Sequence, residues 1–310
     1  MTQEPLVSVI VITYHSLATV GETLDSIYRQ TYRRIELIIA DDGSSDGTVA
    51  LAGDWIGQHG SRFERADIVA APRNGGIPAN CNRGLAQARG EYIKIIAGDD
   101  VLTDDCIDYN VKHIGQAMLA CSDLLCLAGG ALRPILPSDR RDLTAFFALP
   151  PEQRFRQYIR TPIFLNVPTL FIRKELYDKI GTYDEDIRLL EDQPFLCKAM
   201  AAGYIPVYLD HVTVHYRISA HSTMGGQSRA FRLALMESYR RYRKPYLRWT
   251  SFPEALIMLE AAVVRFLLQA RWYKPTTIDR FKRYSPSRIF LEEGFRAHFF
   301  RKIFKTTEPA

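Results

Sequence analysis

An α/β fold built on an open, mostly parallel sheet is what this sequence predicts, and three observations predict it. Apolar runs of strand length alternate with segments of helical spacing along the first hundred residues. The opening runs are nearly continuous, as in strands buried on both faces of a parallel sheet. Two of the runs, 35–40 and 92–97, also end in paired carboxylates, at the edge where open α/β sheets meet their ligands. With 310 residues, 47% of them apolar, the chain is long enough to bury a sizeable core.

Leu6-Val-Ser-Val-Ile-Val-Ile-Thr13 is a β-branched run that reads as the first strand. Val20, Leu24, Ile27 and Tyr28 then recur at helical spacing, and Ile35-Glu-Leu-Ile-Ile-Ala40 is a second strand, which makes a right-handed β-α-β unit. Its tip, Asp41-Asp42-Gly43-Ser44-Ser45-Asp46-Gly47-Thr48, precedes a helix from Val49 to Ile56. A short strand over 66–70 leads through Pro72-Arg73-Asn74-Gly75-Gly76-Ile77-Pro78 into a helix over 79–88. That helix delivers Gly90-Glu91-Tyr92-Ile93-Lys94-Ile95-Ile96-Ala97-Gly98-Asp99-Asp100, an apolar strand running straight into two adjacent acids.

Farther on, Ile107, Val111, Ile114 and Met118 predict a helix and Leu124 to Ala128 an apolar stretch. Residues 133–160 read as a helical or loop insertion, 166–172 as a strand and 174–180 as a helix. Glu191-Asp192 heads a helix whose face carries Phe195, Leu196, Ala199 and Met200, and 207–217 forms a last strand. The segments 228–246, 253–273 and 287–305 are basic and aromatic and predict amphipathic helices.

The net charge of +5 conceals an asymmetry. Residues 229–310 hold 18 Lys/Arg against 7 Asp/Glu, whereas residues 1–228 hold 22 against 28. Basic charge confined to one end points to an anionic surface met in one orientation rather than to nucleic acid. The five cysteines show no Cys-x-x-Cys spacing and read as buried thiols. No run of eighteen uncharged apolar residues and no signal-peptide pattern occurs, so a cytoplasmic protein is expected.

Asp99 and Asp100 repel each other, and the motif fits either a divalent-cation site or a solvated turn capping the next helix. No Gly-x-Gly-x-x-Gly follows the first strand and no Gly-x-x-x-x-Gly-Lys occurs, which removes the usual phosphate cradles. A nucleotide here would be gripped at base and ribose by acidic and aromatic side chains, with metal at its diphosphate.

Five fragments, in order and at matching spacing, resemble the inverting family 2 glycosyltransferases of GT-A fold over most of residues 6–225. They are Val7 to Tyr14, Ile38 to Thr48, Asn74-Gly-Gly, Asn82-Arg83-Gly84 and Gly90-Glu91-Tyr92-Ile93. The resemblance implies a GT-A catalytic domain over 1–228, divided into a nucleotide-sugar-binding half (1–105) and an acceptor and catalytic-base half (106–228), with a basic helical region over 229–310. It implies donor contacts from Thr13, Tyr14, Asp41, Asp42, Asn74, Arg83, Asp99, Arg217 and His221. Mn²⁺ or Mg²⁺ is implied at Asp100 and Asp99. Asp192 is implied as the general base, with Glu191 in support.

Two positions depart from the family pattern: Ala97 stands where an acid is usual and Cys81 where arginine is common. The activity implied is transfer of a hexose or N-acetylhexosamine from a UDP-sugar to a hydroxyl of a glycan or lipid-linked acceptor in bacterial surface-glycan synthesis. The enzyme would lie at the inner face of the plasma membrane, held by its basic end. Two other readings share the strand-tip acids, a non-catalytic nucleotide-sugar-binding or scaffold protein and a receiver-like phosphoacceptor domain. The latter leaves residues 166–222 without a role.

Overall fold

A computed structural model describes residues 4–135, 137–160, 165–218 and 228–269. The strands are β1 (Val7–Thr13), β2 (Ile35–Asp41), β3 (Arg65–Ala70), β4 (Tyr92–Ala97), β5 (Val101–Leu102), β6 (Leu119–Ala128), β7 (Ala131–Pro134), β8 (Phe171–Arg173) and β9 (Val207–Arg217). The helices are α1 (Val20–Tyr28), α2 (Thr48–His59), α3 (Ile77–Gln87), α4 (Cys106–His113), α5 (Pro137–Ala148), α6 (Pro151–Arg160), α7 (Lys174–Ile180), α8 (Asp192–Ala201), α9 (Arg229–Ser238) and α10 (Phe252–Gln269).

The described strands form one sheet in the order β3-β2-β1-β4-β8-β6-β9-β5, with β7 on β6. β3, β2, β1 and β4 are all parallel, as are β6 and β9, whereas β8, β7 and β5 run antiparallel to their neighbours. Alternate residues of β1 explain its unbroken apolar run: Val7, Val9 and Val11 pack into one core, and Ile10 packs with Ile38 and Ile93 into the core on the other face. Helix α3 lies so close to the sheet that a Cβ on Gly84 would sit 2.3 Å from Cγ2 of Ile10.

Helix α10 and the turns that follow α9 pack on α6 through Ile159, Tyr239, Leu247, Ile257 and Met258. Glu254, buried at the start of α10, meets Arg156 and Arg160 at 2.8 Å each and accepts a hydrogen bond from Arg248 N. Among the described residues no helix is long and apolar enough to cross a membrane.

Several expected elements differ. The strand expected over 166–172 begins only at Phe171, because Asn166 takes φ +47 and residues Val167–Thr169 make a 3-10 turn. Helix α4 ends at His113, short of Met118, since the chain must turn at Gly115 (φ +56) to enter β6. The segment 228–246 is not one helix, because α9 gives way to a π turn over Tyr239–Arg243 and then a 3-10 turn carrying Pro245. The expected helix over 287–305, and the end of that over 253–273, lie outside the described residues.

Candidate active site

Parallel pairing sets three strand tips side by side. Thr13 of β1 is in register with Asp41 of β2, and Ile12 with Ala97 of β4. The polar residues that follow each strand therefore share one edge.

Asp41 is consumed within the protein. Its Oδ1 accepts from the amides of Gly43 (3.0 Å) and Ser44 (2.7 Å), and its Oδ2 from the hydroxyls of Ser44 (2.6 Å) and Thr13 (2.8 Å). Four bonds match a carboxylate's acceptor capacity, so Asp41 fixes the loop and the end of β1. Beyond Thr13 the chain turns through His15 at φ +51, with His15 N donating to Ser44 Oγ at 2.8 Å. Tyr14 is left 48% exposed, its ring stacked on His15 at 4.2 Å.

Asp42 is buried and receives the amides of Gly75 (2.9 Å) and Gly76 (2.8 Å), with Arg83 at 3.5 Å. It thus anchors the Asn74-Gly75-Gly76 turn. Arg83 also donates to Asn80 Oδ1 at 2.6 Å. Asn74 is exposed, and its carbonyl and side-chain oxygens accept from Arg188 at 3.0 and 3.3 Å. Gly76, at φ +99, fits so tightly that a Cβ there would lie 2.5 Å from the Arg188 carbonyl, which itself accepts from Ile77 N at 2.9 Å. A chain of contacts therefore runs from Asp42 to the segment just before Asp192.

Glu191 and Asp192 open α8, and Asp192 Oδ1 accepts from Gln193 N at 2.6 Å. Burial pushes both carboxyls above their usual range, and the neighbouring Asp192 charge adds to the effect on Glu191. Cys81 of α3 is buried within reach of these charges. Burial pushes its thiol well up, and the charges of Glu191, Asp42 and Asp192 push the same way.

On the β4 side, Asp100 Oδ1 accepts from Arg217 N at 2.8 Å, and Arg217 donates to the Asp99 carbonyl at 2.7 Å. The Arg217 guanidinium also meets Glu22 of α1. Burial, then the Asp99 charge, raise Asp100 to about 7, and burial raises Asp99 as well. Among the described residues only its own backbone amide donates to the Asp99 carboxylate, and none donates to Asp100 Oδ2. Two adjacent carboxylates with open, hard oxygen atoms suit Mg²⁺ or Mn²⁺. Among the described residues no group of three or more acids, histidines or cysteines could hold a metal, so further ligands would have to come from substrate and water.

Thr13, Tyr14, Asp41, Asp42, Asn74 and Arg83 thus gather at the β1–β2 tip, and Asp99, Asp100 and Arg217 at the β4 tip, while Glu191 and Asp192 follow Arg188, which packs on the former. His221 lies outside the described residues. Two participants left no mark in the sequence reading. Arg188 stands in an irregular segment without periodicity, and Glu22 reads as an ordinary acid in the first turn of a helix.

The sequence profile of glycosyl transferase family 2 matches residues 8–181. An uncharacterized glycosyltransferase of Rickettsia typhi is 26% identical over 276 residues, covering 86% of this chain and 79% of its own. TuaG of Bacillus subtilis, provisionally assigned as a teichuronic acid biosynthesis glycosyltransferase, is 24% identical over 227 residues, covering 73% and 84%. Among solved structures, S. aureus TarS in complex with UDP-GlcNAc superposes with a TM-score of 0.57 at 18% identity, covering 98% of this chain and 76% of its own. The mannosyltransferase PcManGT of Pyrobaculum calidifontis, in complex with GDP-Man and Mn²⁺, gives 0.59 at 18% identity, covering 99% and 89%. These two likenesses show the fold. A family match across more than half of the chain, on this sheet, makes the protein a member of glycosyl transferase family 2: it is a glycosyltransferase of GT-A fold.

Proposed function

We propose that the protein is an inverting transferase that moves a hexose or N-acetylhexosamine from a UDP-sugar to an acceptor hydroxyl, in the synthesis of a bacterial cell-surface polymer. The observation that carries this reading is the pair of raised carboxyls at the head of α8, joined through Arg188 and Gly76 to the Asp42 tip. Residues 1–228 serve as the catalytic domain, whose first half (1–105) holds the donor and whose second half (106–228) supplies the base. Residues 229–310 form the basic end, which meets an anionic membrane surface at the cytoplasmic face.

The exposed Tyr14 ring offers a stacking face to the base, while Thr13, Asp41 and Asp42 fix the strand ends that present it. Asn74 and Arg83 bound the donor on one side, and Asp99 and Arg217 on the other. His221, four residues past Arg217, completes that side in this proposal. A divalent cation held by Asp100 and Asp99, Mn²⁺ or Mg²⁺, supplies charge neutralisation of the diphosphate. Asp192, made more basic by burial, takes the acceptor hydroxyl's proton, and Glu191, whose proton the Asp192 charge retains, supports it from the adjacent position. Single displacement from an α-linked donor leaves a β linkage.

A panel of nucleotide sugars, scored by thermal stabilisation and by hydrolysis with and without Mn²⁺, tests this. A UDP-sugar at a hundredfold its Kd should add about 2.7 kcal/mol of stability. Selective response to GDP-sugars would replace the donor. Binding without turnover in the presence of acceptors would favour the scaffold reading.

A further inference from the structure

Away from the strand tips, α9 and α10 enclose a cleft of about 350 Å³, open to solvent. Its walls are largely apolar, with Leu233, Trp249 and Leu259 exposed at 42%, 62% and 54%. Exposed apolar side chains gathered at one opening mark a binding surface. Three cations also line it, Arg240, Lys244 and Arg265. Arg240 is matched by Glu237, which binds it through both carboxylate oxygens. Among the described residues no carboxylate pairs with Lys244 or Arg265, both exposed. An apolar slot with unmatched cations at its mouth complements an amphiphile, an apolar chain ending in an anion.

The cleft also adjoins the catalytic helix. Tyr239 lines it, and the hydroxyl of Ser238, one residue earlier, donates to Gln193 Oε1 at 2.9 Å; Gln193 follows Asp192 directly. An acceptor whose chain lay in the cleft would be anchored to the element that carries the base. The chain's own remaining segment is a poor alternative occupant. Residues 270–310 hold ten Lys/Arg against four Asp/Glu, the same sign as the cleft mouth.

We propose that this cleft takes the apolar chain of a phosphate-bearing lipid acceptor, with Lys244 and Arg265 at its phosphate. The inference rests on the transferase reading above and names its acceptor class.

Farnesyl phosphate serves as a soluble probe, titrated calorimetrically into the full chain, with farnesol and inorganic phosphate as controls. The expected result is saturable binding of farnesyl phosphate, at least about tenfold tighter than either control. Ala262→Trp, an exposed substitution in the cleft wall, should weaken it about tenfold by filling the slot. Lys244→Glu with Arg265→Glu should weaken it comparably while leaving farnesol unaffected. Stabilisation by UDP with Mn²⁺ should be the same in all variants, which separates loss of the cleft from loss of the donor site. Absence of farnesyl phosphate binding to the wild type overturns the proposal. So does undiminished binding in Ala262→Trp, or farnesol binding as tightly as its phosphate. Occupation of the cleft by residues 270–310 or by a second copy would show itself as the first of these results.

Discussion

Asp100 bears its charge against two opposing effects, burial and the Asp99 carboxylate beside it. Its folded value of about 7 lies above the ordinary 3.8, so the folded state holds this proton more tightly than the unfolded chain does. The penalty is absent below pH 4, grows as pH rises, and is complete above pH 7. The shift corresponds to about 4 kcal/mol as an upper figure. Asp100→Asn should therefore stabilise the metal-free protein at pH 8 but not at pH 4, read as the difference in Tm between variant and wild type. Mn²⁺ should reduce the difference by stabilising only the wild type. The Glu191–Asp192 pair gives a kinetic counterpart. Both carboxyls are raised, so the ionised base is lost as pH falls through a range above that of ordinary carboxylates. The acidic limb of the kcat/KM profile should lie there, and Glu191→Gln, which swaps a carboxyl still protonated as Asp192 ionises for a neutral amide, should leave it in place.

Helix α3 shows how one element positions the tips. Its near contact at Gly84 holds it against β1, and Gly76, the residue just before its first turn, fixes Asp42 with its amide. Gly84→Ala would overpack this contact and should cost about 1–3 kcal/mol in urea unfolding. An unchanged midpoint would mean that the helix can move away freely. The elements of this half were legible because each signals itself locally, β1 and β2 by β-branched runs buried on both faces and α1 by its apolar spacing. Later elements signalled poorly because tertiary contacts decide them. β6 keeps Ser122 and Asp123 buried in mid-strand, at a register shift against β9, and these polar residues hide its length. Fully exposed β7 has no apolar alternation to read. The site was legible to the extent that its acids sit at strand tips. Missed was the route joining them, since Arg188 acts through its backbone carbonyl as well as its guanidinium.

Across the whole molecule, the acidic body and the basic end are joined by α6. Glu254, a buried carboxylate that meets two arginines of α6, is one tie, beside the Arg241 bridges to Asp184 and Asp186 and the Ser238–Gln193 bond. Removing Glu254 leaves those α6 arginines, each about 30% exposed, without their partner, at a cost below the ~3–5 kcal/mol of a fully buried pair. Glu254→Ala should loosen α9 and α10 first, seen as faster proteolysis within residues 229–269 while stabilisation by UDP persists. Equal proteolysis of variant and wild type would remove Glu254 from that role. The convergence of acids at one edge is the central claim, and paired measurements on Asp192→Asn and Asp100→Asn test it most directly. Asp192→Asn should bind UDP with Mn²⁺ as the wild type does while losing about 10²–10⁴ in transfer rate. Asp100→Asn should lose the Mn²⁺-dependent part of UDP binding. Wild-type transfer by Asp192→Asn, or Mn²⁺-dependent UDP binding intact in Asp100→Asn, would contradict the account.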